Sequence, residues 1–304
     1  MSTAEREILL STELKTLTLV QLLQMWGLDV AGVLRDRVKV VRHSDDNQGV
    51  REKYRRSLKW LEEYQQYQSK PVFDNCEMIV STVGTAGTQA KFVGVYHKLA
   101  KAKRGEPEYP QLAPDDPLLA LQSEIYYHLV RDTRFDGLRD RLVIEWGKAG
   151  QAWHQWLPEQ DKPVIQVFPP GFVKGFTNYM DFWLMFSELR DIVNSSSANS
   201  VWRDTLSAVG GVYLILDAKK GDQYVGSASG ITGIFGRWSD YVSAGSYGHG
   251  GNERLKPIAA ARREHDLQFT VLNILPLANK QAILDNECVW KEKLGTRAFG
   301  LNPN

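Results

Sequence analysis

Two tyrosines on either side of a turn-like stretch are the first residues of this chain that invite a chemical reading. Tyr213 lies in Gly211-Val212-Tyr213-Leu214-Ile215-Leu216, an apolar run with strand character. Tyr224 opens Tyr224-Val225-Gly226-Ser227 after Asp217 to Asp222, which is rich in turn formers. Adjacent antiparallel strands joined by a short connection let such a pair face one site. Arg237 follows where a helix can begin, and Tyr241 stands four residues on, hence on the same helix face. Glu287 lies in Leu284 to Leu294, which reads as a later helix, and Asn302 lies close to the end of the chain. Arginine is permanently charged and fork-shaped, which suits a phosphate. One carboxylate can hold a hydrated divalent cation. A tyrosine, with a reference pKa of about 10, is a base only where its surroundings perturb it. Such a set could serve attack by water at phosphorus. Taken singly, each residue has a plainer meaning. A buried tyrosine in a hairpin is usually core with a satisfied hydroxyl, and a lone Arg or Glu on a helix is usually a surface charge.

More residues stand near this set in sequence. His249 lies in a glycine-rich stretch, Gly245 to Asn252, where glycine permits close backbone approach to a ligand. It could assist proton transfer or touch phosphate, and a plain surface loop is the competing meaning. Lys256 and the pair Arg262-Arg263 could follow a polyanionic backbone or simply be solvated. Asp217 and Asp222 lie at a turn and are read as ordinary turn chemistry.

The elements that position these residues follow from the pattern of apolar residues. Thr16 to Met25 reads as a helix stopped by Gly27, and Val38 to Arg42 as a short strand. Arg51 to Gln68 reads as one helix, with Tyr54, Leu58, Leu61 and Tyr64 at helical spacing. The stretch from Arg35 to Lys59 is mostly basic among its charges, which makes Arg42 and the neighbouring His43 candidates for phosphate contact against the commoner solvated face. Met78 to Val83 and Lys91 to Tyr96 read as strands around a turn at Gly84 to Gly87, and Ala100 to Pro117 as a loop. Ile125 to Val130 and Arg141 to Trp146 read as a hairpin around Phe135-Asp136-Gly137, and Val164 to Phe168 as another strand. Tyr179 to Val193 looks helical, and Asn194 to Asn199 reads as a linker or loop tip. The fold class expected is α+β. Its N-terminal part is a mixed domain with a curved β-sheet or small barrel plus helices, residues 1–200. Its C-terminal part, residues 201–304, is a small antiparallel sheet flanked by helices.

Composition narrows the class further. With 43% hydrophobic and 24% charged residues over 304 positions, a disordered chain is excluded and two domains are natural. A net charge of +1 leaves any polyanion contact to a local patch. Two cysteines, Cys76 and Cys288, lack a metal-type or redox spacing partner, which points to a reducing cytoplasm. No leader peptide and no membrane span are expected. Nine tryptophans are many. Core packing is their ordinary role, and stacking on bases is the sharper one.

In their order and spacing, Gly211-Val212-Tyr213, Tyr224-Val225-Gly226, Arg237, Glu287 and Asn302 make the last ~95 residues resemble a GIY-YIG endonuclease domain. Valine replaces isoleucine in both motifs, a conservative change. Ser227 stands where the repair branch of the family tends to carry lysine, and Tyr241 where some members carry histidine. The resemblance implies a divalent-metal-dependent endodeoxyribonuclease with Mg²⁺ (or Mn²⁺) held by Glu287 and the scissile phosphate by Arg237. One of the paired tyrosines deprotonates water. Tyr213 is favoured, with nearby cations expected to lower its pKa and Tyr224 and Tyr241 completing the network, while Asn302 braces the Glu287 end. DNA is the implied partner. A homodimer is expected because one such site cuts one strand at a time.

The family usually attaches a separate recognition domain, and the N-terminal region fits that role by position. As a DNA reader, modified bases included, it would make the chain a restriction or phage-defence nuclease. Its aromatic candidates are then Tyr54, Trp60, Tyr64, Trp146, Trp153 and Trp156. As a protein-interaction module, it would recruit a structure-specific repair or recombination nuclease. A degenerate nuclease that only binds DNA is a third reading, against which the retention of Tyr213, Tyr224, Arg237 and Glu287 speaks.

Overall fold

A computed structural model of the protein describes residues 16–32, 34–44, 49–85, 87–148, 152–243 and 248–303. It is α+β and divides into two compact units, Met1–Phe168 and Pro169–Asn304. The division falls well before the boundary expected after residue 200. The reason is packing: Leu184, Leu189, Ile192 and Trp202 share one core with Tyr213, Trp238 and Phe269. The expected linker Asn194 to Asn199 is instead a tie. Asn199 is buried, accepts the Val173 N–H (3.1 Å), and donates to the carbonyls of Gly171 (2.7 Å) and Ser195 (3.1 Å).

In the N-terminal unit the elements run α1 (Leu19–Met25), β1 (Val38–His43), α2 (Val50–Arg56), α3 (Leu58–Tyr64), β2 (Tyr67–Gln68), β3 (Met78–Gly84), β4 (Gln89–Lys103), β5 (Ile125–Asp132), β6 (Leu142–Glu145), β7 (His154–Leu157) and β8 (Val164–Val167). The sheet order is β2-β5-β4-β3-β1-β7, with β6 on β4 and β8 on β6. The β1–β3 pair is parallel and the others are antiparallel. β4 carries β6 against its start and β5 against its end, so one long strand serves two partners and the sheet curls into a half-barrel.

Three local expectations change here. The single helix over residues 51–68 is two, because Ser57 is extended (φ −154°, ψ 110°) and its side chain caps α3 by accepting the Trp60 N–H. The β5–β6 hairpin does not form, since both strands pair with β4. Phe135 and Leu138 are buried in a 3₁₀ turn over Thr133–Leu138, so these residues anchor core and do not form a hairpin tip. β4 also runs on through Lys103, into the stretch expected to be loop.

In the C-terminal unit follow β9 (Leu184–Met185), α4 (Phe186–Asn194), α5 (Ser200–Ser207), β10 (Gly210–Asp217), β11 (Gln223–Ala228), α6 (Gly233–Val242), α7 (Lys256–Ala260), β12 (Leu267–Leu275), α8 (Lys280–Lys293) and α9 (Thr296–Phe299). The sheet is antiparallel throughout, in the order β11-β10-β12-β9. The helix expected from Tyr179 begins only at Phe186. Leu184 and Met185 extend the sheet beside β12, and Tyr179 turns its hydroxyl to the Thr205 carbonyl (3.0 Å). Among the described residues no helix is long and apolar enough to cross a membrane.

Candidate active site in the C-terminal unit

The β10–β11 register places Tyr213 opposite Gly226 and Ile215 opposite Tyr224, so both tyrosines project from the same face as diagonal neighbours. The glycine of each motif has a steric reason. A Cβ on Gly226 would lie 2.5 Å from the Tyr213 hydroxyl, because the Tyr213 ring crosses over that residue. A Cβ on Gly211 would lie 2.1 Å from the Asn273 carbonyl of β12, next to the irregularity in pairing between Val212 and Tyr213. Close approach of backbone and ring therefore sets the small residues, and the hairpin is built around Tyr213.

Tyr213 is fully buried, with Trp238 and Tyr241 edge-on to its ring at 6.0 and 6.2 Å. Its hydroxyl lies 3.0 Å from that of Tyr241 and accepts the Arg237 Nε–H at 3.2 Å. Arg237 and Tyr241 are one turn apart on α6. The guanidinium lies over the Tyr241 ring at 4.9 Å, and Nη2 donates to the Tyr241 hydroxyl at 3.4 Å. Nη1 donates to the Gly250 carbonyl (3.1 Å) and to Asp240 (3.2 Å). Tyr213, Arg237 and Tyr241 thus form one polar network, with the two phenols in the apolar core and the guanidinium half-buried at its edge.

The Tyr213 pKa is displaced in the direction opposite to that expected. Burial pushes it up, and the Arg237 charge, acting the other way, does not overcome this. Burial, then Tyr213 and Tyr224, push Tyr241 well up too. Tyr224 is half-buried, and its hydroxyl has no hydrogen-bond partner among the described residues.

Glu287 projects from α8 into a second cluster. Its Oε1 is 2.5 Å from Lys291 Nζ, one turn along the same helix, and its Oε2 accepts from the Ser227 hydroxyl on β11. Strand alternation sends Ser227 to the sheet face opposite Tyr213. No hydrogen bond or ion pair among the described residues joins Glu287 to the Tyr213–Arg237–Tyr241 network. Asn302 does not touch Glu287 as expected. It clamps β11, accepting the Val225 N–H and donating to the Val225 carbonyl, both at 2.8 Å. β11 is the outer strand of its sheet, so the C-terminal amide satisfies an edge that would otherwise lack a partner. Lys291 was not singled out in the sequence. Its signal was there, since Glu and Lys four residues apart on a helix pair readily.

Among the described residues no three His, Cys, Asp or Glu side chains gather as a metal cage. The donor set is Glu287 alone, which suits a hydrated Mg²⁺ that completes its shell with water and phosphate oxygens. With both carboxylate oxygens engaged, such an ion would take the place of the Lys291 ammonium.

The outlying basic residues divide. His249 accepts the Gly251 N–H on Nδ1 (2.9 Å) and, with Lys256, Arg262 and Glu264, lines an open cavity of ≈ 630 Å³. Residues 244–247, part of the glycine-rich stretch, lie outside the described residues. Lys256 pairs with Glu253 (2.6 Å), and Arg262 is exposed. Arg263 is an engaged charge, not a solvated one. Its Nη2 donates to both oxygens of the fully buried Asp217 (2.7 and 2.9 Å) and its Nε to Asp266 (3.0 Å), so it locks the β10–β11 turn. In the N-terminal unit, Arg42 Nη2 donates to the carbonyls of Gly87 (2.9 Å) and Gln89 (3.4 Å). His43 is buried 3.3 Å from Gln65, and burial lowers its pKa to about 4, so it is neutral and no cation for a phosphate.

Comparison of the chain with family models, with curated proteins and with solved structures finds no match in any of the three.

Proposed function

We propose that the C-terminal unit is a divalent-metal-dependent DNA endonuclease using Mg²⁺ (or Mn²⁺), with target selection assigned to the N-terminal unit, as in a restriction or phage-defence enzyme. The observation that carries this reading is the Tyr213–Arg237–Tyr241 network, two buried phenols holding a half-buried guanidinium, beneath a hairpin whose Gly226 makes room for the Tyr213 ring. Two phenols buried in an apolar core to hold a half-buried guanidinium stabilise a fold less well than apolar side chains of similar size. A site that must hold a phosphate accounts for them.

Arg237 has five N–H groups, of which four have partners among the described residues, leaving one on Nη2 for a phosphate oxygen. Tyr224, rather than Tyr213, is assigned proton abstraction: it shares the face of Tyr213, is half-buried, and carries a hydroxyl committed to no protein group among the described residues. As the phenolate it would take the proton of the attacking water. Tyr213, closed off from solvent, positions Arg237. Glu287, across the outer strand β11 from Tyr224, would hold the ion, whose chemistry there is to neutralise a phosphate oxygen and stabilise the leaving 3′ oxygen, so the substrate backbone would have to pass over that strand edge to meet both clusters. Ser227 orients the carboxylate and Asn302 braces the strand that carries Tyr224 and Ser227.

The test is cleavage of plasmid and of 5-methylated, 5-hydroxymethylated and glucosylated phage DNA in Mg²⁺ by wild type and Glu287→Gln. Wild type should cut at least one, and the variant should bind DNA yet leave it intact. Unchanged turnover in Glu287→Gln would remove the metal assignment, and no cutting of any substrate would remove the nuclease.

A further inference from the structure

The N-terminal unit contains a cavity of ≈ 320 Å³, the size at which small-molecule sites begin. Its lining includes Tyr64, Tyr67, Trp153, His43, Gln68 and Ser123. The elements that meet there are the ends of β1 and α3, the short strand β2, and the segment entering β7. The aromatic walls are held from behind. Tyr64 stacks on Trp60 at 4.9 Å, and Tyr67 packs against Tyr126 and Tyr109 at 5.2 and 6.0 Å. The His43 ring stands between Tyr64 and Trp153, with centroids 5.8 and 6.2 Å away.

The polar character of the cavity is neutral and directional. Gln65 Oε1 faces His43 Nε2 at 3.3 Å, so Nε2 carries the proton and Nδ1 is an acceptor. Burial keeps this imidazole uncharged at neutral pH, and burial together with Tyr126 and Tyr109 pushes the Tyr67 hydroxyl up to about 12, so it stays a donor. Among the described residues no carboxylate lines the cavity. The Arg42 guanidinium is turned away, to the carbonyls of Gly87 and Gln89 on the strand face opposite His43. Aromatic rings together with neutral hydrogen-bonding groups match a planar heteroaromatic ring.

We infer that this cavity binds a nucleobase, and that its source is a base turned out of the DNA duplex. The inference rests on the reading of the chain as a DNA nuclease, and it turns the N-terminal unit from a positional guess into a base-reading site centred on His43, Tyr64 and Trp153. An extruded base is recognised by stacking and by hydrogen bonds to its edge, and extrusion is easiest where pairing is already weak. Of the six aromatic residues singled out in the sequence, Tyr64 and Trp153 line the cavity, whereas Trp146 is buried in the core.

The experiment is photocrosslinking with the full chain. One arm uses a duplex carrying a single 5-iodouracil opposite an abasic site. The other uses the mononucleotide 5-iodo-dUMP. Crosslinked peptides are mapped by mass spectrometry, which needs no cleavage and so reports separately from nuclease activity. The duplex should label Trp153, Tyr64 or Tyr67, and Trp153→Leu should weaken the preference for that duplex over a fully paired one by about tenfold. Circular dichroism checks that the variant is folded, and the wild-type map stands without it. Labelling confined to other residues overturns the site. Labelling by the mononucleotide but not by the duplex overturns DNA as the source. Crosslinks in the cavity from a protein that cuts nothing would sink the nuclease reading and leave the base site standing.

Discussion

Replacing Tyr213 and Tyr224 by phenylalanine, one at a time, separates the role of a buried hydroxyl from that of an accessible one. The Tyr213 hydroxyl lies 3.0 Å from the Tyr241 hydroxyl and accepts the Arg237 Nε–H at 3.2 Å. Removing it leaves the buried Tyr241 hydroxyl and the Arg237 Nε–H each short of a partner. A lost hydrogen bond to a charged group, with a stranded donor, costs on the order of 1–3 kcal/mol. Arg237 keeps Asp240 and the Gly250 carbonyl, so the fold should survive with its unfolding free energy reduced by about that amount. Tyr224 bonds to no protein group among the described residues, and its loss should change stability by less than about 0.5 kcal/mol. Cleavage should follow the reverse order. Tyr224→Phe should slow single-turnover cutting by roughly 10²–10⁴, the usual worth of a general base. Tyr213→Phe acts through the aim of Arg237, with a loss of about 10²-fold. Urea unfolding and plasmid nicking under single-turnover conditions measure both quantities. A Tyr224→Phe protein that cuts at the wild-type rate removes Tyr224 as the base. A Tyr213→Phe protein as stable as wild type refutes the reasoning about the buried network.

Other outcomes follow from the same geometry. Residues 169–304 should fold as a fragment and give dispersed amide spectra, while 201–304 should not, because removing Leu184, Leu189 and Ile192 opens the core that holds Tyr213; a folded 201–304 fragment would restore the later boundary. His43 has its pKa lowered from 6.5 to about 4, so its contribution to stability is fully present above pH 6.5 and is lost as the pH falls to about 4. The loss should approach about 3 kcal/mol over that window and be absent in His43→Gln, and parallel urea-stability curves for the two proteins would show that the ring is not buried neutral. Asp217→Asn should lower the melting temperature by several degrees by releasing Arg263; an unchanged melt would free Arg263 for DNA after all.

How much of this was legible in the chain depends on the range of the interaction. Tyr213 and Tyr224 on paired strands, Arg237 and Tyr241 on one helix face, and Glu287 on a later helix are all local patterns, and hairpin spacing and the 3.6-residue period made them readable. So was the turn role of Asp217, which accepts the Lys219 and Lys220 N–H groups. What escaped depended on partners far along the chain. Nothing near Arg263 announces that it closes on Asp217, nothing near Asn302 that it clamps Val225, and nothing near Asn199 that it ties Gly171 and Val173 into the second unit. The hairpin signal at Phe135-Asp136-Gly137 failed for the same reason, since β4 claimed both strands and the core claimed Phe135. The pKa of Tyr213 is the sharpest case. Sequence places a cation beside the phenol, but only packing decides how much water remains, and with none left desolvation outweighs the cation. Local periodicity thus determined which residues could meet, and burial, which is a property of the whole fold, decided what each of them can do once there.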